Sequence, residues 1–291
     1  MKIQEACLPC LVSLGVRCAA LIPAASRPAF YRDFFHTLAN VDFDQPAPLA
    51  IGLLYRLIKQ KAKTGDPYAS LRKQVNTQVA AEIPALIRRI RSAADPFAEA
   101  LRLAALANSF DFNPLHQPDF TQMLQDFQHV LLSPSSPFKE TDTFRQDLIR
   151  AQTVLVLGDN FGEVMIDRLL LEQIRILNPK LQLYYAVRGC PVVNDVIAAD
   201  ARQAGIERWA TIISSGDDTP GTLIARTGAE FQVVYRQADV LISKGQANFE
   251  CLIDQPDKNR YFLLKVKCAV LAERTGLPSG TLACIHAPVQ L

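Results

Sequence analysis

Two patterns of hydrophobic positions divide the chain near residue 150. Up to Arg150, apolar residues recur three and four positions apart, as in the stripe from Ile83 to Ile90. This spacing predicts amphipathic helices, and Asp95 followed by Pro96 marks one helix start. No strand is predicted in this part. From Thr153 onward, short β-branched or apolar runs alternate with stretches long enough for a helix.

The short runs of the second part predict β-strands. Strands are predicted at Thr153 to Leu157, Leu181 to Val187, Ala210 to Ser214, Asp239 to Ser243 and, as a last strand, Thr281 to His286. Strands that alternate with helices form parallel sheets with right-handed crossovers. The second part is therefore predicted to be an open, three-layer α/β domain with a mainly parallel sheet.

A cluster of Pro and Ser residues, Ser133 to Pro137, is the predicted connector between the two parts. We accordingly predict an all-helical amino-terminal region at residues 1–137 and an α/β domain at residues 138–291. The full length of 291 residues is in keeping with about two domains of ~150 residues.

Charge and composition exclude several classes of function. The chain has 31 Lys and Arg against 29 Asp and Glu, which leaves a formal charge of +2. So small a charge gives no field that gathers nucleic acid or anionic lipid, and neither is predicted as a partner. Any anion must be held by a local site.

The stretch Ala6 to Ala25 superficially resembles a secretory signal, but Arg17 interrupts its apolar centre. Charges break every apolar run before about 18 residues accumulate, so no transmembrane span is predicted. Seven cysteines are an odd number spread over a long chain, unlike the dense set of a secreted disulfide scaffold. We predict a cytoplasmic protein.

Candidate metal ligands follow the first two predicted strands. Ligands of open parallel sheets lie beyond the carboxyl ends of the strands. Asp159 and Asn160 follow the first strand and offer hard oxygen ligands suited to Mg²⁺ or Mn²⁺. Asp195 stands 36 residues after Asp159, about one strand-helix-strand repeat, so both carboxylates can reach one crevice. The alternative is that Asn160, in a capping box with Glu163, and Asn194-Asp195 only cap helices.

Candidate phosphate-binding groups follow the third and fourth predicted strands. The loop Ser214 to Thr222 is rich in Gly and hydroxyl groups and can cradle a phosphate, although such residues also form ordinary turns. Lys244 directly follows a strand and can neutralise a phosphoryl oxygen. The sequence contains neither a Walker motif, nor Gly-x-Gly-x-x-Gly, nor Gly-x-Ser-x-Gly.

These strand ends together resemble the metal-dependent damage-control phosphatases, formerly domain-of-unknown-function family 89. The resemblance is carried by Gly-Asp-Asn-x-Gly-Glu, Gly-x-Pro-x-x-Asn-Asp-Val, the Ser-Gly loop with Pro-Gly-Thr, Ser-Lys-Gly-Gln-x-Asn-Phe-Glu, and Lys265-x-Lys267-Cys268. It extends to the amino-terminal half through Asp66-Pro67-Tyr68 and Asn108-Ser109-Phe110-Asp111-Phe112. An early Cys7-x-x-Cys10 is similar to that of the prokaryotic-type branch.

The resemblance implies a helical region packed on a Rossmann-like domain, and substrates that are small phosphate esters, including sugar phosphates and damaged cofactor intermediates. The metal ligands it implies are Asp159, Asn160 and Asp195. It implies that Lys244 contacts the phosphate.

We therefore predict a divalent-metal-dependent phosphatase acting on a small phosphate monoester, with Asp159 and Lys244 as catalytic residues. Predicted phosphate-binding residues are Lys244, Ser214, Ser215, Gly216 and Asn248. The predicted metal is Mg²⁺ or Mn²⁺, with Co²⁺ and Ni²⁺ as further candidates. The nucleophile, either a metal-bound water or the Asp159 carboxylate, is left open. Alternatives are an S-adenosylmethionine-dependent carboxyl methyltransferase and a non-catalytic phosphometabolite-binding protein.

The two early cysteines have a simpler interpretation than metal binding. Cys7 and Cys10 share one helix face, but a structural zinc site needs a second pair of ligands, and no second Cys-x-x-Cys or paired His occurs. We therefore predict buried packing thiols outside the crevice.

Overall fold

The computed structural model describes residues 1–110, 120–132 and 137–289. Of the predicted connector only Pro137 lies among them. In this part of the chain no helix is both long and apolar enough to cross a membrane. The predicted domain boundary, between a helical region at residues 1–137 and an α/β domain at residues 138–291, stays a prediction.

The amino-terminal region is helical, as predicted. Its α-helices are α1 (Leu8–Cys18), α2 (Arg27–Ala39), α3 (Ala47–Ala62), α4 (Ala69–Ser92), α5 (Pro96–Ala107), α6 (Phe120–Leu132) and α7 (Thr141–Arg150). The side chain of Asp95 accepts a hydrogen bond from the main-chain nitrogen of Ala98 at 3.1 Å and so caps α5, which confirms the helix start predicted there.

A six-stranded sheet follows. Its strands are β1 (Thr153–Leu157), β2 (Gln182–Val187), β3 (Thr211–Ser214), β4 (Val240–Lys244), β5 (Asn259–Lys265) and β6 (Leu282–Ala287), in the order β3-β2-β1-β4-β5-β6. All neighbouring pairs are parallel except β5 and β6. The predicted open, mainly parallel α/β fold with a helical amino-terminal region is confirmed. Strand β5 was not predicted.

The helices of the second part are α8 (Glu163–Leu177), α9 (Ala198–Gln203), α10 (Ala229–Gln237), α11 (Gly245–Leu252) and α12 (Ala269–Thr275). Together with α4, α5 and α7 they cover both faces of the sheet. Alternate residues of the fully buried β1 show this: Val154 and Val156 pack in a core with α5 and α8, whereas Leu155 and Leu157 pack in another with α10 and α11.

The strand order reverses between β1 and β4. The chain proceeds from β1 to β2 and β3 on one side, and β4 and β5 lie on the other side. Helices that leave adjacent strands in opposite directions open a crevice beyond the carboxyl ends of those strands. The loops after β1 and β4 are therefore placed at the position where α/β sheets bind ligands.

Candidate functional site

A cavity of about 250 Å³ lies at the carboxyl edge of the sheet. The polar groups that loops after strands contribute to its lining are Asp159, Asn160, Asn194, Asp195 and Lys267. Helix α11 adds Gln246 and Glu250. The rest of the described lining is apolar or carries thiols, and it comes mainly from α1, α3 and α12.

The carboxylate of Asp159 is held through one of its oxygens. Oδ2 accepts hydrogen bonds from the side-chain amides of Asn108, at 2.8 Å, and Asn160, at 2.7 Å. Asn108 follows α5 and also accepts a hydrogen bond from the main-chain nitrogen of Lys265 at 3.1 Å. No donor from the described residues reaches Oδ1. One carboxylate oxygen is thus fixed and the other is left for a ligand.

The carboxylate of Asp195 is held in the same way. Its Oδ2 accepts a hydrogen bond from Nε of Arg188 at 2.7 Å and a longer one from the main-chain nitrogen of Gly221 at 3.4 Å. Arg72 of α4 donates to the main-chain oxygen of Asp195 at 3.0 Å. Asn160 and Asp195 also form a β-bridge, so the segments after β1 and β2 lie side by side.

The structure therefore brings Asp159, Asn160 and Asp195 into the lining of one cavity. The alternative that they only cap helices is wrong: Gly162 is the N-cap of α8, and Ile197 is the N-cap of α9. Binding of a metal by the three residues stays a prediction.

A buried ion-pair cluster lies beneath these residues. The amine of Lys244 donates to Glu163 at 2.5 Å and to Asp167, whose other oxygen accepts a hydrogen bond from the hydroxyl of Tyr185 at 2.7 Å. Burial alone would lower the pKa of Lys244, but the two carboxylates raise it above its ordinary value. The ammonium therefore stays charged.

The electrostatics of the site fit a divalent cation. Burial raises the pKa of Asp159 well above its ordinary value, and the nearby charges of Glu163 and Asp195 raise it further. Four carboxylates are buried here, and the buried cations among the described residues that pair with them are those of Lys244 and Arg188. The four are Asp159, Glu163, Asp167 and Asp195. The charge of the half-buried Lys267 also acts on Asp159. The carboxylates still outnumber these three cations, which favours binding of a further cation.

The donor set is also chemically suitable, because carboxylate and amide oxygens are ligands that Mg²⁺ and Mn²⁺ prefer. Among residues 1–110, 120–132 and 137–289, no three or more His, Cys, Asp and Glu side chains are grouped as a metal centre. A cation at this site would therefore be held by two carboxylates and an amide rather than by three acidic, thiol or imidazole groups.

The predicted phosphate-binding residues do not line the cavity. Ser215 is buried, and the hydroxyl of Ser214 accepts a hydrogen bond from the main-chain nitrogen of Gly216 at 3.0 Å. Asn248 is buried beside Arg188 and accepts a hydrogen bond from it at 3.1 Å. Lys244 is also outside the lining. Their contacts with phosphate stay predictions.

The sequence patterns missed Lys267 as a site residue. It lines the cavity and lies two residues beyond β5, the strand that was not predicted. Its charge lowers the pKa of Asp159, against the larger effect of burial. A prediction of β5 would have identified Lys267 as a candidate, because it follows the end of that strand. Of the motif Asn108 to Phe112, the residues Asp111 and Phe112 lie outside the described residues.

The prediction of buried cysteines outside the crevice is wrong. Cys7 and Cys10 both line the cavity; Cys7 is half-buried and Cys10 is exposed. The short 3-10 turn Glu5–Cys7, which precedes α1, packs against α12, and Cys268 at the start of α12 lines the same cavity. Desolvation raises the pKa of Cys7 and Cys10, so both remain thiols near neutral pH.

The chain is similar to known proteins over most of its length. Residues 3–282 match the model of the damage-control phosphatase ARMT1-like domain. A Pyrococcus horikoshii protein named damage-control phosphatase PH1575 is 28% identical over 292 residues, which are 98% of each chain. A damage-control phosphatase of Archaeoglobus fulgidus is 27% identical over 228 residues, or 78% of each. The crystal structure of a DUF89 family protein from Pyrococcus horikoshii superposes with a TM-score of 0.86 at 26% identity, covering 99% of each chain.

Proposed function

Because the chain belongs to the family of damage-control phosphatases with an ARMT1-like domain, we propose that it is a divalent-metal-dependent phosphatase. Its substrate is a small phosphate monoester, either a sugar phosphate or a damaged phosphometabolite. The observation that carries this proposal is the convergence of Asp159, Asn160 and Asp195 on a cavity that Lys267 also lines.

Asp159, Asn160 and Asp195 would hold the cation, Mg²⁺ or Mn²⁺ first and Co²⁺ or Ni²⁺ as further candidates. When bound, a divalent cation polarises phosphoryl oxygens and offsets charge in the transition state. The amides of Asn108 and Asn160 orient the Asp159 carboxylate, and Arg188 orients that of Asp195. Both carboxylates are thereby positioned before any ligand arrives.

Lys267 is the lysine in a position to bind a phosphoryl oxygen, because its side chain lines the same cavity as the two carboxylates. The apolar remainder of the lining limits access of water to the reacting group. A volume of about 250 Å³ is below the ~300 to 1,000 Å³ of pockets for drug-sized ligands, which favours a small ester.

Phosphate release from a panel of phosphate esters, measured with each of the four cations, tests the proposal. Asp159→Asn and Asp195→Asn should each lower kcat/KM by at least about 100-fold, because each removes a charge that the cation needs. The matched control is Asp142→Asn, which changes an exposed aspartate of α7 in the same way.

A melting curve with and without cation separates folding from function. Wild type and the control should melt at a higher temperature when the cation is added, because a ligand that binds only the folded state stabilises it. Asp159→Asn should fold but lose this shift. Wild type that releases no phosphate from any ester with any of the cations would refute the phosphatase proposal.

A further inference from the structure

The cavity holds a carboxylate that the predicted metal site does not use. Glu250 lies one helical turn after Gln246 on α11, and both side chains line the cavity. Glu250 is half-buried, and desolvation raises its pKa. It is therefore a partly desolvated acidic group in the substrate cavity, on a different element from Asp159 and Asp195.

The hydrogen bonds of Glu250 leave one of its oxygens without a donor. Gln246 donates to Oε1 at 2.6 Å and also contacts the sulfur of Cys268 at 3.6 Å. Across the described ranges, no donor reaches Oε2. The amino group of Met1 lowers the pKa of Glu250 through its charge, but it donates to the main-chain oxygen of Glu250, at 2.6 Å, and pairs with Asp254 at 3.1 Å. The carboxylate thus has no salt bridge to a described residue.

No other described residue in this part of the lining offers a comparable polar contact. Away from the loops that follow β1, β2 and β5, the described lining contains apolar side chains, thiols, Gln246 and Glu250. The amide of Gln246 is already engaged with Glu250. A polar group on the organic part of a ligand would therefore be recognised by Glu250, and the carbon atoms would contact the apolar wall.

We propose that Glu250 binds an ammonium group of the substrate, so that the substrate class is a small phosphate ester carrying a primary amine. A partly buried, unpaired carboxylate is costly, and a cation brought by the ligand offsets that cost. The phosphate lies toward Lys267 and the predicted metal ligands, and the amine lies toward α11. That the bound molecule is a substrate rests on the proposed phosphatase function. That Glu250 binds its amine does not.

Calorimetric titration with three non-hydrolysable phosphonates tests the inference without turnover. The ligands are 2-aminoethylphosphonate, 2-hydroxyethylphosphonate and propylphosphonate, each added to the full chain in the presence of Mg²⁺. We expect wild type to bind the amine at least about 10-fold more tightly than the other two, as one charge-assisted hydrogen bond allows.

Two variants make the test specific. Glu250→Gln should abolish the preference for the amine while binding propylphosphonate within about 3-fold of wild type, which shows that the fold and the phosphonate end are intact. Glu273→Gln on α12 is exposed and should retain the preference. Equal binding of all three ligands by wild type, or an amine preference that survives in Glu250→Gln, would overturn the inference. So would a preference for the hydroxyl compound.

Release of phosphate from phosphoethanolamine and propyl phosphate separates the two proposals. Hydrolysis of both esters with equal kcat/KM would reject the amine preference and leave the phosphatase function standing. Binding of the amine through Glu250 with no phosphate release from any ester would reject the phosphatase function and retain the amine site.

Discussion

The carboxylate of Asp159 lies against the α-carbon of Gly245. A Cβ atom at residue 245 would be 1.8 Å from Oδ2 of Asp159, which is far inside contact distance. Gly245 also has a φ of +76°, in the left-handed region that disfavours residues with a side chain. The first residue of α11 is thus constrained twice, by its backbone and by the orientation of the proposed metal ligand.

Gly245→Ala should therefore displace Asp159 and lower phosphate release by more than about 10-fold with every ester, because the carboxylate must move. Gly276→Ala is the control, since Gly276 has a φ of +69° but no atom within 4 Å of the added carbon. The control should lose about 1–2 kcal/mol of unfolding free energy from backbone strain alone. Equal losses of stability and unchanged activity in both variants would show that Asp159 tolerates the contact.

Lys244→Met should destabilise the protein by about 3–5 kcal/mol, because it leaves the buried carboxylates of Glu163 and Asp167 without their cation. Adding Asp167→Asn to this variant should recover part of the loss, since it removes one uncompensated charge. Chemical denaturation measures both. If Lys244 instead binds phosphate, as its sequence motif predicts, the single variant will lose kcat/KM and keep its stability.

Lys267→Met should lower kcat/KM about 100-fold while leaving the cation-induced rise in melting temperature nearly unchanged, because it removes one charge that faces the phosphate. Lys265→Met is the matched control: this lysine is two residues away and does not line the cavity. Similar kinetics in the two variants would exclude a role for Lys267 in binding phosphate.

Glu99 predicts a specific dependence of stability on pH. Burial raises its pKa, but hydrogen bonds from Arg102 and Arg89 outweigh burial, so its pKa is below the ordinary 4.5. A carboxyl with a lowered pKa in the folded state stabilises the fold above 4.5, and this contribution is lost as the pH falls.

The unfolding free energy of wild type should therefore decrease as the pH falls below about 4.5, and that of Glu99→Gln should decrease less. Glu207→Gln is the control, because Glu207 is 62% exposed and its ion pair with Arg202, at 3.4 Å, is expected to contribute little. Denaturation at several pH values distinguishes them. Identical pH dependence in wild type and Glu99→Gln would contradict the prediction.

The sheet was largely predictable because five of its strands consist mostly of apolar or β-branched residues. The predicted strand Thr153 to Leu157 coincides with β1, and each of the other four predicted strands differs from the observed one by at most one residue at each end. Strand β5 was missed because its first two residues, Asn259 and Arg260, are polar. Arg260 is nevertheless buried and donates to the main-chain oxygen of Leu252. Only the tertiary structure supplies that partner.

The site residues that follow predicted strands could be predicted from the sequence. The side-chain pairs between residues far apart in the sequence could not. Asp159, Asn160 and Asp195 follow predicted strands, so their convergence follows from topology. The pairing of Lys244 with Glu163 joins residues 81 positions apart, and the same sequence motif is compatible with a lysine that faces a ligand. Burial of the ammonium distinguishes a lysine in a buried ion pair from a lysine that faces a ligand. The spacing of apolar residues along the chain does not indicate that burial.

The contact between Asn108 and Asp159 makes the cavity a product of both parts of the chain. Asn108 follows α5, and Asn76 of α4 accepts a hydrogen bond from the main-chain nitrogen of Gly162 at 2.7 Å. A sheet assembled without these helices would leave Asp159 with one amide donor instead of two. During synthesis, the first-made half therefore completes a cavity encoded in the second, and if the proposed cation binds there, its affinity would report on the assembly of the two halves.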